Sequence, residues 1–270
     1  MWTPSANPAV LRPDLAPFVE FDSVMFREGM IWHRVAPVVN VALQADSPGK
    51  IAVEELLQGM DGTEDRRASN GDYPRITGNF SNFSYQTEEH GLEGVVDERR
   101  RRIYQHILDA QRWTLEALTL RILGNQEKRT ADLIFNTGTW TGAALTTAVG
   151  TTWSTHATAT PIADVLAAKL KVRDGTGMWP NAAVMDYEAF LNLRECDEVV
   201  ARIHSSGAGS PATAADVTAE MIGRVLDLKH VIVSRANRNT AKEGQAATFS
   251  QFWTKSQVQV CRVAETANVD

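Results

Sequence analysis

The sequence predicts an α+β fold in which an N-terminal arm and a long β excursion are attached to one long helix and a smaller α/β body. Three observations lead there. A polar excursion at 44–77 is flanked by β-rich runs, one at 35–43 and one carrying Phe80, Phe83 and Tyr85. A helical apolar period follows over 98–136. Short helical and strand segments then alternate from Thr160 to Val263.

The arm comes first. Pro4, Pro8, Pro13 and Pro17 break any continuous helix in residues 1–30, because each lacks an amide donor and restricts its predecessor. Val10, Leu11, Phe18, Val19, Phe21, Val24, Met25, Phe26 and Met30 nevertheless make the stretch apolar. An extended arm of that kind is expected to dock on another surface. Residues 35–43 are rich in β-branched side chains and read as a strand.

The excursion is punctuated by Ser47-Pro48-Gly49, Gly59, Gly62 and Asn70-Gly71, all turn formers. It is too polar for a core and too short of apolar surface to fold alone, so it is expected to project from the body. The long helix is predicted over 98–136, with Ile103, Ile107, Ala110, Ala117 and Leu120 on its stripe and Leu108, Leu115, Leu118 and Ile122 widening it. Gly124 is its weak point, costing about 1 kcal/mol relative to alanine. Nearly forty residues would span about 55 Å at 1.5 Å per residue.

Residues 137–158 read as a loop or irregular β segment. Thr160-Pro161 starts a helix with a hydroxyl cap and a first-turn proline, ending near Asp174-Gly175. A buried strand at 182–185, helices at 187–194 and 195–203, and a Gly/Ser break at 205–211 follow. Beyond the break come a helix at 216–228, a strand at 230–234, a polar turn at 237–244 and a β segment at 249–263.

Composition narrows the function. A chain of 270 residues with 43% hydrophobic content can bury a sizeable core in one large or two ordinary domains. Its net charge of -6 argues against a dedicated nucleic-acid-binding protein, though not against lying near nucleic acid. Cys196 and Cys261 have no paired spacing, which fits a reducing compartment and buried thiols. No apolar run approaches the roughly 18 residues of a membrane span, and residues 1–15 lack the pattern of a secretory signal. A soluble, cytoplasmic chain is expected.

Candidate chemistry is sparse. His33, His90, His106, His156, His204 and His230 share no zinc-ligand spacing. Glu88, Glu89, His90 and Glu93 form the one compact cluster of ligand type, and strand alternation would let only some of them converge. An enzyme using His90 with Glu89 or Glu93 as acid–base pair would need a concave pocket there. Gly207-Ala208-Gly209 leads into Ser210-Pro211 rather than a helix, so it reads as a linker. Cys196, among Leu191, Leu193 and Val199, reads as a buried thiol. The matches at Asn79-Phe80-Ser81 and Asn82-Phe83-Ser84 to the glycosylation pattern are read as accidental.

Charges mark a contact surface instead. The run Arg99-Arg100-Arg101-Arg102 opens the long helix, where cations oppose the helix dipole. Anionic groups of a neighbouring subunit or nucleic acid would offset that cost, while a solvated face would need no partner. Arg66, Arg67, Tyr73, Arg75, Glu88, Glu89, Glu93, Arg99 and Arg100 are the candidate inter-subunit contacts.

The order and wording of these segments resemble the major capsid proteins of tailed bacteriophages, which share the Johnson fold. The resemblance rests on Val35-Ala36-Pro37-Val38-Val39-Asn40-Val41, then Arg66-Arg67-Ala68 with Tyr73-Pro74-Arg75, then Tyr85 through Glu93 with Val95-Val96-Asp97. Further on it rests on Thr160-Pro161-Ile162-Ala163-Asp164, Trp179-Pro180-Asn181 with Met185-Asp186, and the strand from His230. It implies an arm and first strand (1–43), an extended loop (44–96), a spine helix with a peripheral domain (97–205) and an axial domain (206–270). Relatives continue past a strand like 257–263, so the axial domain is expected to be small or incomplete. Lys50 matches no cross-linking motif.

The implied function is a structural coat subunit of the virion, assembled in the host cytoplasm into pentamers and hexamers of an icosahedral shell around double-stranded DNA. Portal, scaffold and decoration proteins would be its partners, with no catalysis, cofactor, metal or membrane. The shell of an encapsulin-like protein-cargo nanocompartment is the related alternative.

Overall fold

A computed structural model describes residues 29–51, 53–60, 66–67, 69–73, 81–97, 99, 101–102, 110–205, 217–242 and 244–264. The expected arm up to residue 28, Arg75, Arg100 and the Gly/Ser break beyond residue 205 lie outside them. The order is α1 (Trp32–Val35), β1 (Ala45–Asp46), β2 (Gly49–Lys50), α2 (Val53–Leu57), β3 (Ser81–Asn82), β4 (Tyr85–Gln86) and the long helix α3 (Ala110–Ile134). Then follow α4 (Pro161–Thr176), β5 (Ala182–Asp186), α5 (Tyr187–Glu195), α6 (Asp197–Ser205), α7 (Ala219–Leu226), β6 (His230–Ser234), β7 (Asn237–Asn239), β8 (Phe249–Gln251) and β9 (Val258–Cys261). The class is α+β, as expected.

The body is built on a three-stranded sheet ordered β6-β5-β9. β5 runs parallel to β6 and antiparallel to β9, and every residue of β5 is buried. Strand alternation divides its side chains between two layers. Ala183 and Met185 join the core with Val165, Phe190, Leu193, Val199, Ile222 and Leu226 from helices α4 to α7. Ala182 and Val184 face the opposite layer, with Ile31, Ala131 of α3, Ile232 and Trp253. Asn181 extends the ladder, taking the amide of His230 on its carbonyl (2.9 Å) and exchanging side-chain bonds with the backbone of Val263 (2.9 and 2.8 Å).

The expected division after residue 205 falls between strands of this sheet. β5 lies before it and β6 and β9 after it, yet all three share one ladder and one pair of cores. The strand expected in a separate axial domain is therefore a neighbour of the one expected in the peripheral domain.

Three expectations change. Residues 36–43 form no strand: α1 ends at Val35, and Val38, Val39, Val41 and Leu43 are exposed. A β-branched run becomes a strand only where an edge pairs with it, and among the described residues none does. The long helix is continuous over 25 residues, about 37 Å, with Arg99, Arg101 and Arg102 also helical; residues 98, 100 and 103–109 lie outside the description. Its buried face is not the predicted apolar stripe but Thr119, Leu123, Gly124, Glu127, Thr130 and Ala131. Ala131 of that face packs with Ala182, Val184, Ile232 and Trp253.

The third concerns the start of α4. Pro161 occupies its first turn, but the Thr160 side chain makes no capping bond. The amide of Ile162 donates instead to Glu198 Oε2 of α6, at 3.1 Å. A carboxylate near a helix N-terminus satisfies both the free amide and the dipole, so a neighbouring helix supplies the cap. At the other end Gly177 takes φ +70 as the left-handed cap.

Candidate functional site

The excursion is a two-stranded ribbon held in one unbroken register. Ala45 lies opposite Gln86 and Asp46 opposite Tyr85, then Gly49 opposite Asn82 and Lys50 opposite Ser81. Pro48 has no amide to give, but its carbonyl accepts from Phe83 (3.2 Å), and Gln44 O accepts from Thr87 (2.8 Å). Thr87 Oγ1 and Tyr85 Oη fasten the base to Gln44 O and Leu43 O. All four short strands are exposed except for half-buried Tyr85. A lone two-stranded ribbon is only marginally stable in water.

Apolar side chains line this exposed region without covering. Leu56, Met60, Tyr73, Phe83 and Leu92 are exposed, and Val95 is 86% exposed. Leu57 of α2 meets the body: a Cβ on Gly177 would lie 2.5 Å from its Cδ1, so Leu57 sits over the cap of α4. Where the chain returns, a Cβ on Gly94 would meet Thr114 and Leu118 of α3 at 2.6 and 2.7 Å. That close approach covers part of the predicted stripe.

The candidate contact residues separate into groups. Arg66, Arg67, Tyr73, Glu88, Glu89, Glu93 and Arg99 are all exposed. Arg67 and Tyr73 are brought together, the guanidinium standing 4.6 Å from the ring centroid while its Nε donates to Gly71 O at 2.6 Å. Asn70 makes the intervening turn at φ +64, a region that asparagine tolerates better than most side chains. Among the described residues no ion pair joins Arg66 or Arg67 to Glu88, Glu89 or Glu93. His90 is exposed with them on a stretch without strand structure.

One residue was missed. Asp97 caps the helical turn that carries Arg99, Arg101 and Arg102, its Oδ1 accepting from the amide of Arg99 (3.1 Å) and its carbonyl from that of Arg101 (2.9 Å). Its carboxylate supplies the negative charge at this helix start, within the same chain. The signal was available, since aspartate just before a helical run is a favoured cap.

Both thiols are free. Cys196 is fully buried, and desolvation, reinforced by Glu198, Asp197, Asp164 and Glu195, pushes it up to about 11. Burial alone pushes Cys261 up to about 11. A thiol held protonated is a poor nucleophile, and the sequence reading of Cys196 as buried matches its place in the core. Among the described residues no three His, Cys, Asp or Glu side chains are placed to hold a metal, and no helix is long and apolar enough to cross a membrane.

No protein-family model and no curated relative matches the sequence. Among solved structures, the fold is similar to that of a phage-related protein from Bordetella bronchiseptica RB50, with a TM-score of 0.62 and 16% identity. The match covers 95% of this chain and 78% of that one. At that identity the likeness is one of fold.

Proposed function

We propose that this chain is the major capsid subunit of a tailed-phage head, assembling into pentamers and hexamers of an icosahedral shell around double-stranded DNA. The observation that carries the reading is the single-register ribbon, exposed along both strands and flanked by uncovered apolar side chains. Such an element gains its stability by lying on another surface, and a neighbouring copy provides one on every subunit of a shell. The fold shared with a phage-related protein supports the same reading. The role is structural: burial of ribbon, arm and helix against neighbours, with DNA held by enclosure rather than by a basic groove. Portal, scaffold and decoration proteins would meet the assembled shell, and the virion is its final place.

Negative-stain microscopy of the purified protein, over a range of concentration and ionic strength, tests this. Rings, tubes or closed shells are expected. A protein that stays monomeric under every condition would overturn the reading.

A further inference from the structure

Glu127 lies in the middle of α3 and is completely buried. Both carboxylate oxygens accept from the amide of Ile31 at 3.1 Å, and Oε2 accepts from the amide of Trp32 at 2.9 Å. Oε1 also accepts from the indole Nε1 of Trp253. The first two donors open α1, near the N-terminal limit of the described chain, and the third belongs to the loop between β8 and β9. Two of the donor residues, Ile31 and Trp253, belong to one apolar cluster with Ala131 and Val184.

A buried carboxylate is tolerated only when it is well supplied with donors. With one segment docked, Glu127 would keep oxygen lone pairs unsatisfied. The second segment completes the set, so each makes the other's docking more favourable. Charge-assisted bonds at one shared acceptor are strongly coupled for this reason.

We propose that Glu127 is a two-way lock, in which docking of the N-terminal segment at Ile31 and Trp32 and docking of the Trp253 loop form one cooperative event through the shared carboxylate. The lock is a property of the single subunit. Its consequence rests on the assembly reading: it would set where the N-terminal residues leave the body toward a neighbour. The coupling can fail while assembly holds, and the reverse.

Amide hydrogen exchange on the purified protein, its W253F and E127Q variants and the double variant tests the proposal. W253F removes the indole donor while keeping a ring. It should speed exchange at the Ile31 and Trp32 amides by roughly tenfold, the loss expected for about one charge-assisted bond. The amides of Ala183 and Val184 in β5 should keep their protection. In the E127Q background W253F should add no further acceleration, because the shared acceptor is already altered. Unchanged exchange at Ile31 and Trp32 in W253F would overturn the lock. So would equal increments in both backgrounds, or acceleration in β5 as large as in α1, which would mean that Trp253 acts by packing alone. Should E127Q fail to fold, W253F by itself still decides through its effects at α1 and β5.

Discussion

Lys169 is nearly buried, yet its ammonium meets the exposed carboxylate of Asp227 at 2.9 Å and also donates to the carbonyls of Leu226 (3.0 Å) and Asp227 (2.8 Å). One cation from α4 thus closes the C-terminal end of α7, where Asp227 turns the chain at φ +51. The carbonyl bonds matter more than the ion pair, because Asp227 is 96% exposed and solvent screens it. Replacing Lys169 by alanine strands a buried carbonyl and should cost about 1–3 kcal/mol. Asp227→Asn should cost well under about 1 kcal/mol. Urea denaturation of both variants checks the order, and equal losses would mean that the ion pair carries the contact.

Gly124 gives a prediction of the same sign as its sequence reading but of smaller size. A Cβ there would stand 3.3 Å from Phe252 Cζ, slightly too close, but Phe252 is only half-buried and can shift. The helix gains about 1 kcal/mol from alanine over glycine. Gly124→Ala should therefore be neutral or slightly stabilising. Gly124→Leu should lose about 1–3 kcal/mol by overpacking. Thermal melting separates the two, and a large loss in the alanine variant would show that the helix–ring contact is rigid.

Asp186 ends β5 and caps α5, its Oδ2 accepting from the amide of Glu188 at 2.9 Å. Burial holds its carboxyl above the usual range, against the opposing pull of the Glu188 and Tyr187 amides. With the folded pKa raised, the native state binds the proton more tightly than the unfolded chain does. This contribution is fully present below the unfolded value, about 3.9, and is lost as pH rises through the folded one. Asp186→Asn keeps an acceptor without the charge, so it should match or exceed the parent at pH 7 and show a flatter stability profile between pH 4 and neutrality. Asp186→Ala loses the cap and should cost about 1 kcal/mol. Chemical denaturation across that pH range would refute the assignment if Asn and Ala behaved alike.

The loop charges test the assembly reading directly. Reversing Arg66 and Arg67 to glutamate should leave the fold of the subunit nearly unchanged, since both are exposed. Exposed pairs contribute only about 0–1 kcal/mol each, but a shell repeats every contact. Assembly of the double variant should be suppressed and partly restored by high salt, which screens the new repulsion. Light scattering follows it. A variant that assembles like the parent at low salt would reduce these arginines to a solvated face.

What the sequence by itself determined is local. The strand at 230–234, the buried strand from Ala182, the first-turn proline of α4 and the turn at Asn70 depend on side-chain period and backbone preference within a few residues, and each stands where those rules put it. The polar excursion was legible for the same reason, as a stretch with too little apolar surface for a core. Tertiary structure alone decided what depends on distant partners. Nothing near Glu127 distinguishes it from the exposed charges of the same helix, because its burial is set by donors from both ends of the chain. The cap of α4 comes from Glu198 on another helix, and residues 36–43 form no strand without a paired edge. One sheet joins strands from both sides of residue 205, since strand pairing joins residues by geometry across any separation in sequence.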